Sequence, residues 1–166
     1  MPEKETIERA REDAREGKSP STQAGEFVRE EIHHIREGKH GASSTKQAIA
    51  IGLSKARRAG VKLPPPKKGT TSERTRRAAA RDSRKGKSGA RKKTSPRRSR
   101  AMLQRLKREG RSAASPRALA RQAQSAARRR TAASRSASAK KAAQTKGPAK
   151  RRAAAKKAAR TRARQK

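Results

Sequence analysis

The residues with the widest chemical repertoire lie close together. His33, His34 and His40 are the three histidines of the chain, and Glu30-Glu31 is a carboxylate pair just before them. Imidazole and carboxylate could serve acid–base chemistry or ligate a metal. Glu30 and His34 are four residues apart, so a helix would place them on one face as half a metal site. His33 and His34 would point about 100° apart, and the sequence marks no third ligand. The histidines therefore read as surface and loop residues, and Glu30-Glu31 as part of a solvated helix face with no pocket to perturb a pKa. There is no cysteine, no phosphate-cradling glycine motif and no nucleophile–base pairing. The expectation is a protein without catalysis, cofactor or bound metal.

A second chemistry, phosphate neutralisation, is far more heavily represented. The 166 residues include 50 Lys or Arg against 13 Asp or Glu, a formal charge of +37. The candidate nucleic-acid contacts are the basic clusters Arg76-Arg77, Arg91-Lys92-Lys93, Arg97-Arg98, Arg128-Arg129-Arg130, Lys140-Lys141, Lys150-Arg151-Arg152 and Lys156-Lys157. The charge is unevenly distributed. Residues 1–63 hold 13 basic and ten acidic residues, a net +3, whereas 64–166 hold 37 basic residues and only Glu73, Asp82 and Glu109, a net +34. The break falls at Pro64-Pro65-Pro66, which favours an extended chain.

Large apolar residues divide at the same point. Ile7, Phe27, Val28, Ile32, Ile35, Ile49, Ile51, Leu53, Val61 and Leu63 lie before it, and only Met102, Leu103, Leu106 and Leu119 after it. Four large apolar side chains cannot offset the conformational entropy of ordering 103 residues. The expected architecture is all-α. A small helical module occupies residues 1–63, and a largely disordered, helix-capable polycationic tail occupies 64–166. Alanine and arginine favour helix, so tail helices near 96–109 and 116–143 are expected to firm up when phosphates remove the mutual repulsion. Ser95-Pro96 and Ser115-Pro116 each have the form of an N-cap followed by proline in the first turn, with paired phosphorylation sites as the alternative.

Within the module, the spacing predicts a weak first helix over Glu5–Glu16 with Ile7, Ala10 and Ala14 on one face. A second runs from about Pro20 to Glu37 with a stripe of Ala24, Val28, Ile32 and Ile35 flanked by Phe27. A third runs from Thr45 to Ala59, opened by a capping box at Ser44-Thr45-Lys46-Gln47 and closed by Gly60. The short connection from Gly38 to Ser44 predicts an antiparallel hairpin of the last two. Gly52, inside the third helix, suits a close approach by another helix.

The run Lys46-Gln47-Ala48-Ile49-Ala50-Ile51-Gly52-Leu53-Ser54-Lys55-Ala56, preceded by Gly38-Lys39-His40-Gly41, resembles an uncharacterised domain of small basic bacterial proteins. That domain carries a "KQAIAIALSEA"-like helix after a Gly- and His-containing loop, and the resemblance covers about residues 22–60. Some members are labelled DNA-binding or plasmid-stabilisation proteins. Gly52 and Lys55 stand where that pattern has Ala and Glu, which makes this helix more basic. From Ser134 onward the Ala/Lys/Pro texture is similar in composition to linker-histone and bacterial histone-like tails, although residues 64–166 contain 23 Arg and 14 Lys.

Together these features predict a histone-like, largely sequence-nonspecific DNA-binding protein, cytoplasmic and nucleoid-associated, whose main ligand is duplex DNA. The tail would neutralise phosphates, and the module would supply a protein contact or a homodimer interface. The alternatives are an RNA- or ribosome-associated protein, and a plasmid-maintenance interaction module with a nucleic-acid-anchoring tail. No apolar run is long enough to span a bilayer, and a membrane-surface partner is not expected, because the tail carries charge but little apolar surface for insertion.

Overall fold

The computed structural model describes residues 2–88 and 95–164. Among these residues the architecture is all-helical, with seven α-helices, one 3-10 turn and no strand. The chain divides into two compact units, Met1–Gln122 and Ala123–Lys166. The charge boundary near residue 64 and the boundary of the first unit therefore fall at different places.

Three helices build the front of the first unit. Helix α1, Lys4–Arg15, buries Thr6, Ala10 and Asp13. This face is rotated from the predicted one, since Ala14 is exposed. Asp13 tolerates burial because Lys18 Nζ donates to its carboxylate at 2.6 Å. Helix α2, Pro20–Arg36, has proline in its first turn, where the missing N–H costs nothing. Helix α3, Thr45–Arg58, is capped by Ser44, whose Oγ accepts from Gln47 N at 3.2 Å. The reciprocal bond goes one residue earlier than a capping box predicts, from Ser43 N to Gln47 Oε1 at 2.8 Å.

Helices α2 and α3 form the predicted hairpin, and Gly52 is its closest point. A Cβ there would lie 2.7 Å from Val28 Cα. On α2 the predicted stripe lies in the core, with Ala24, Ile32 and Ile35 buried, Val28 partly buried against them and Phe27 beside them, and Glu31 is fully buried as well. One apolar cluster holds Ala10, Ala24, Phe27 and Ala56, with Ile7, Leu53, Val61 and Leu63 against it. A second holds Ile32, Ile35, Ala42 and Ala48, and it is completed by Ala113 and Ala114, with Leu119 packed on it.

The expectation of a disordered tail is corrected here. Helix α4, Glu73–Ser88, has no counterpart in the sequence-based expectation, and it packs on α3. Its buried face is Ala79 and Asp82. Ser54 Oγ donates to Asp82 Oδ2 and Arg58 Nε to Oδ1, both at 2.7 Å. Gly86 lies so close to the Arg57 carbonyl that a Cβ would collide with it. Helix α5, Pro96–Arg108, follows, and then a 3-10 turn, Ser112–Ala114, that docks at the α2–α3 corner. Thr45 Oγ1 donates to Ala113 O at 2.7 Å, and Arg36 Nε to Ala114 O at 2.9 Å. Gly41 N donates to Leu106 O at 2.8 Å, and Ala42 N to Gly110 O at 3.2 Å.

The reason for the correction is physical. Counting large apolar residues overlooks attachment by alanine, by glycine contact and by hydrogen bonds to backbone carbonyls, and these hold residues of 73–88 and 106–119 to the module. Helix α6, Pro116–Arg128, is capped by Ser115 Oγ, which accepts from Ala118 N at 3.2 Å. Ser95, by contrast, makes no side-chain cap bond at α5. In the second unit α7, Ala132–Arg164, is broken at Gly147 (φ 67°, ψ 167°) ahead of Pro148. Its helices rest on Ala, Arg and Lys propensity, since none of its described side chains is buried.

Candidate functional site

The predicted nucleic-acid contacts that the structure describes are carried by, or lie next to, α4, α5, α6 and α7. Arg76 and Arg77 lie in the first two turns of α4, where both engage Glu73. Arg76 Nε and Nη2 donate to it at 2.8 and 2.6 Å, and Arg77 Nε at 3.3 Å. The Arg76 hydrogen bond is the main cause that holds the Glu73 carboxyl down at about 2. Arg97 and Arg98 are exposed on α5. Arg128 ends α6. Arg129 Nε donates to Ser125 O at 3.3 Å, and Arg130 Nη2 to Ser134 O at 3.0 Å. Lys140, Lys141, Lys150, Arg151, Arg152, Lys156 and Lys157 are exposed along α7. Arg91, Lys92 and Lys93 lie outside the described residues.

Helix α4 carries a basic face that a search for adjacent clusters misses. Arg74, Arg77, Arg81 and Arg84 follow one another at intervals of three or four residues and line one shallow groove with Glu73. At 100° per residue they oppose the docking face of Ala79, Asp82 and Gly86. The signal is legible as a period of 3.6 in arginine rather than in apolar residues. Asp82, one of three acidic residues after position 64, aims this face outward by its bonds to α3.

A second constellation lies between α2, α3 and the loop joining them. Glu30 and Glu31 belong to a solvated face by sequence, yet they are buried, with side chains 2% and 1% exposed. The reason is that the α2 seam runs through Phe27 and Ile35 and carries Glu31 between them. Lys55 projects from α3 and reaches both. Its Nζ lies 3.3 Å from Glu30 Oε1 and 2.6 Å from Glu31 Oε2. His40, on the loop, brings Nε2 to 3.2 Å from Glu31 Oε1, while its Nδ1 lies 3.1 Å from Gly41 O. His34 brings Nε2 to 2.8 Å from Glu3 Oε1 and Nδ1 to 4.0 Å from Glu30 Oε1. The bond to His34, and then that to Lys39, holds the Glu3 carboxyl below its ordinary value.

The two histidines meet edge to face, with ring centroids 6.2 Å apart, and each side chain is only 12% exposed. Only His33 is on the surface as expected. Sequence spacing identifies the Glu30–His34 relation. It misses Glu31, because adjacent helical residues diverge, and His40, because only the folded loop returns it to α2.

Residues 15–68 match a family of unknown function (DUF6496), a stretch shorter than half the chain that contains α2, α3 and their loop. No curated protein and no solved structure matches the chain. The match fits an uncharacterised domain and carries no chemistry of its own. Among the described residues no helix is long and apolar enough to cross a membrane.

Proposed function

We propose that the protein is a non-enzymatic, histone-like nucleic-acid-binding protein that associates with duplex DNA in the nucleoid largely without regard to sequence. The observation that carries this reading is the arginine face of α4. From Arg74 to Arg84 the helix rises about 15 Å at ~1.5 Å per residue. Along one DNA strand that covers roughly four phosphates at ~3.4 Å of axis each. Arginine suits the task because its planar fork meets phosphate oxygens in pairs. The exposed basic residues of α5 and α7 add sequence-independent attraction, and counterion release supplies the free energy. The ten acidic residues of 1–63 do not oppose this attraction in full, since Glu3, Glu5, Asp13, Glu26, Glu30, Glu31 and Glu37 are engaged by cationic side chains of the same module.

Fluorescence anisotropy of a labelled duplex at several salt concentrations tests the proposal. Affinity should fall steeply with salt. Replacing Arg74, Arg77, Arg81 and Arg84 by Gln should lower the log–log slope by up to about 3.6, at ~0.9 for each phosphate no longer neutralised. A flat salt response of the unaltered protein refutes nucleic-acid binding, and an unchanged slope in the variant refutes the role of α4. Tighter binding of ribosomal RNA in direct competition at equal salt would replace DNA by RNA as the ligand.

A further inference from the structure

We propose that Glu31, His34 and His40 bind a divalent transition-metal ion of the zinc class, with a Glu30 carboxylate oxygen as the fourth ligand. The site is independent of the arginine face and of nucleic-acid binding.

Four observations converge on this assignment. The donor atoms of Glu31, His34 and His40 all lie within 4.8 Å of one another. Bonds of about 2.0–2.2 Å to a shared ion would draw them to roughly 3.5 Å apart, an adjustment on the scale of side-chain torsions. The Glu31 side chain is 1% exposed, yet neither carboxylate oxygen has an aligned hydrogen bond. Lys55 and His40 meet it only as off-axis ion-pair contacts. A buried carboxylate left short of hydrogen bonds is a costly arrangement that a coordinated cation would relieve.

Each histidine also has one nitrogen already engaged. His40 Nδ1 sits on the Gly41 carbonyl, which leaves Nε2 toward Glu31. His34 Nε2 sits on the Glu3 carboxylate, which leaves Nδ1 toward Glu30. Such outer partners fix tautomer and ring direction in metal sites. Finally, the loop bearing His40 is anchored from outside, because Gly41 N and Ala42 N donate to the carbonyls of Leu106 and Gly110. Two imidazoles with one or two carboxylates suit zinc and its neighbours rather than magnesium or calcium, which prefer all-oxygen sets.

Lys55 makes the site conditional. Its ammonium occupies the electrostatic position beside Glu30 and Glu31 that a dication would take, so the two compete. The Lys55 side chain is 22% exposed and therefore has a path to solvent when displaced. Replacing it with Met should strengthen metal binding.

The test uses the full chain, freed of nucleic acid by nuclease and high salt, with Zn2+ titrated against a chromophoric chelator and Co2+ as a spectroscopic probe. One equivalent should bind in the micromolar range or tighter, and Co2+ should give the intense visible absorption of a four-coordinate nitrogen–oxygen site. His34→Ala, His40→Ala and Glu31→Gln should each weaken binding at least ten-fold, His33→Ala should leave it unchanged, and Lys55→Met should tighten it several-fold. No stoichiometric binding by the unaltered protein, full affinity in His40→Ala, or an effect of His33→Ala as large as that of His34→Ala would overturn the assignment. Should a ligand variant fail to fold, the Co2+ spectrum of the unaltered protein decides: octahedral, weakly absorbing Co2+ refutes the site.

Discussion

Removing the Lys55 ammonium is the sharpest test of how the hairpin core is held together. Lys55→Met keeps most of the side-chain volume and its aliphatic contacts while deleting the charge. The ammonium lies 2.6 Å from Glu31 Oε2 and 3.3 Å from Glu30 Oε1. At an effective dielectric constant of about 20, those distances correspond to gross attractions of about 6 and 5 kcal/mol. Desolvation of three charges and repulsion between the carboxylates offset most of that sum. Breaking a buried pair by deleting one partner costs ~3–5 kcal/mol. The lower end applies here, because 22% of the Lys55 side chain reaches water. Urea denaturation followed by circular dichroism, with a chelator present, should therefore show a loss of about 3 kcal/mol. The double variant Lys55→Met/Glu31→Met should recover much of it, because the stranded carboxylate has been removed as well. A loss below about 1 kcal/mol in the single variant, or no recovery in the double, would show that the cluster is not an energetic unit.

Asp82→Ala should release α4, since it removes the acceptor of both Ser54 and Arg58. A cost of about 1–3 kcal/mol is expected, read as faster amide exchange confined largely to 73–88; unchanged exchange there would refute the docking role. Gly52→Ala should destabilise the first unit by about 1–3 kcal/mol through overpacking against Val28, measured by the same urea titration, and a stabilised variant would refute the close contact. Acidification should weaken the first turns of α4. The folded-state carboxyl of Glu73 lies at about 2 against an ordinary 4.5, so its contribution is complete above pH 4.5 and is lost as the pH falls toward 2. Residue-resolved helicity by NMR should show that decline in the native chain and not in Glu73→Gln.

Local signals in the sequence determined the helices of the module and their ends. Proline at the start of α2, the Ser44 cap and the apolar period of α2 and α3 are short-range features, and they act wherever the rest of the chain lies. The charge asymmetry is equally local, because it is a sum over residues. Tertiary structure alone decided three other matters. Which residues of α2 are buried depends on where α3 crosses it, and that is set by Gly52 against Val28; the crossing carries Glu31 inward and keeps Val28 partly buried at the contact. Whether α4 and the 3-10 turn dock depends on partners more than twenty positions away, such as Asp82 with Ser54 and Thr45 with the carbonyl of Ala113. Such contacts leave no periodic trace in composition. The meeting of Glu31, His34, His40 and Lys55 is of the same kind. Each residue alone reads as an ordinary polar side chain, and only the closed hairpin, with its loop tied back by Leu106 and Gly110, brings the four charges and rings into one buried space.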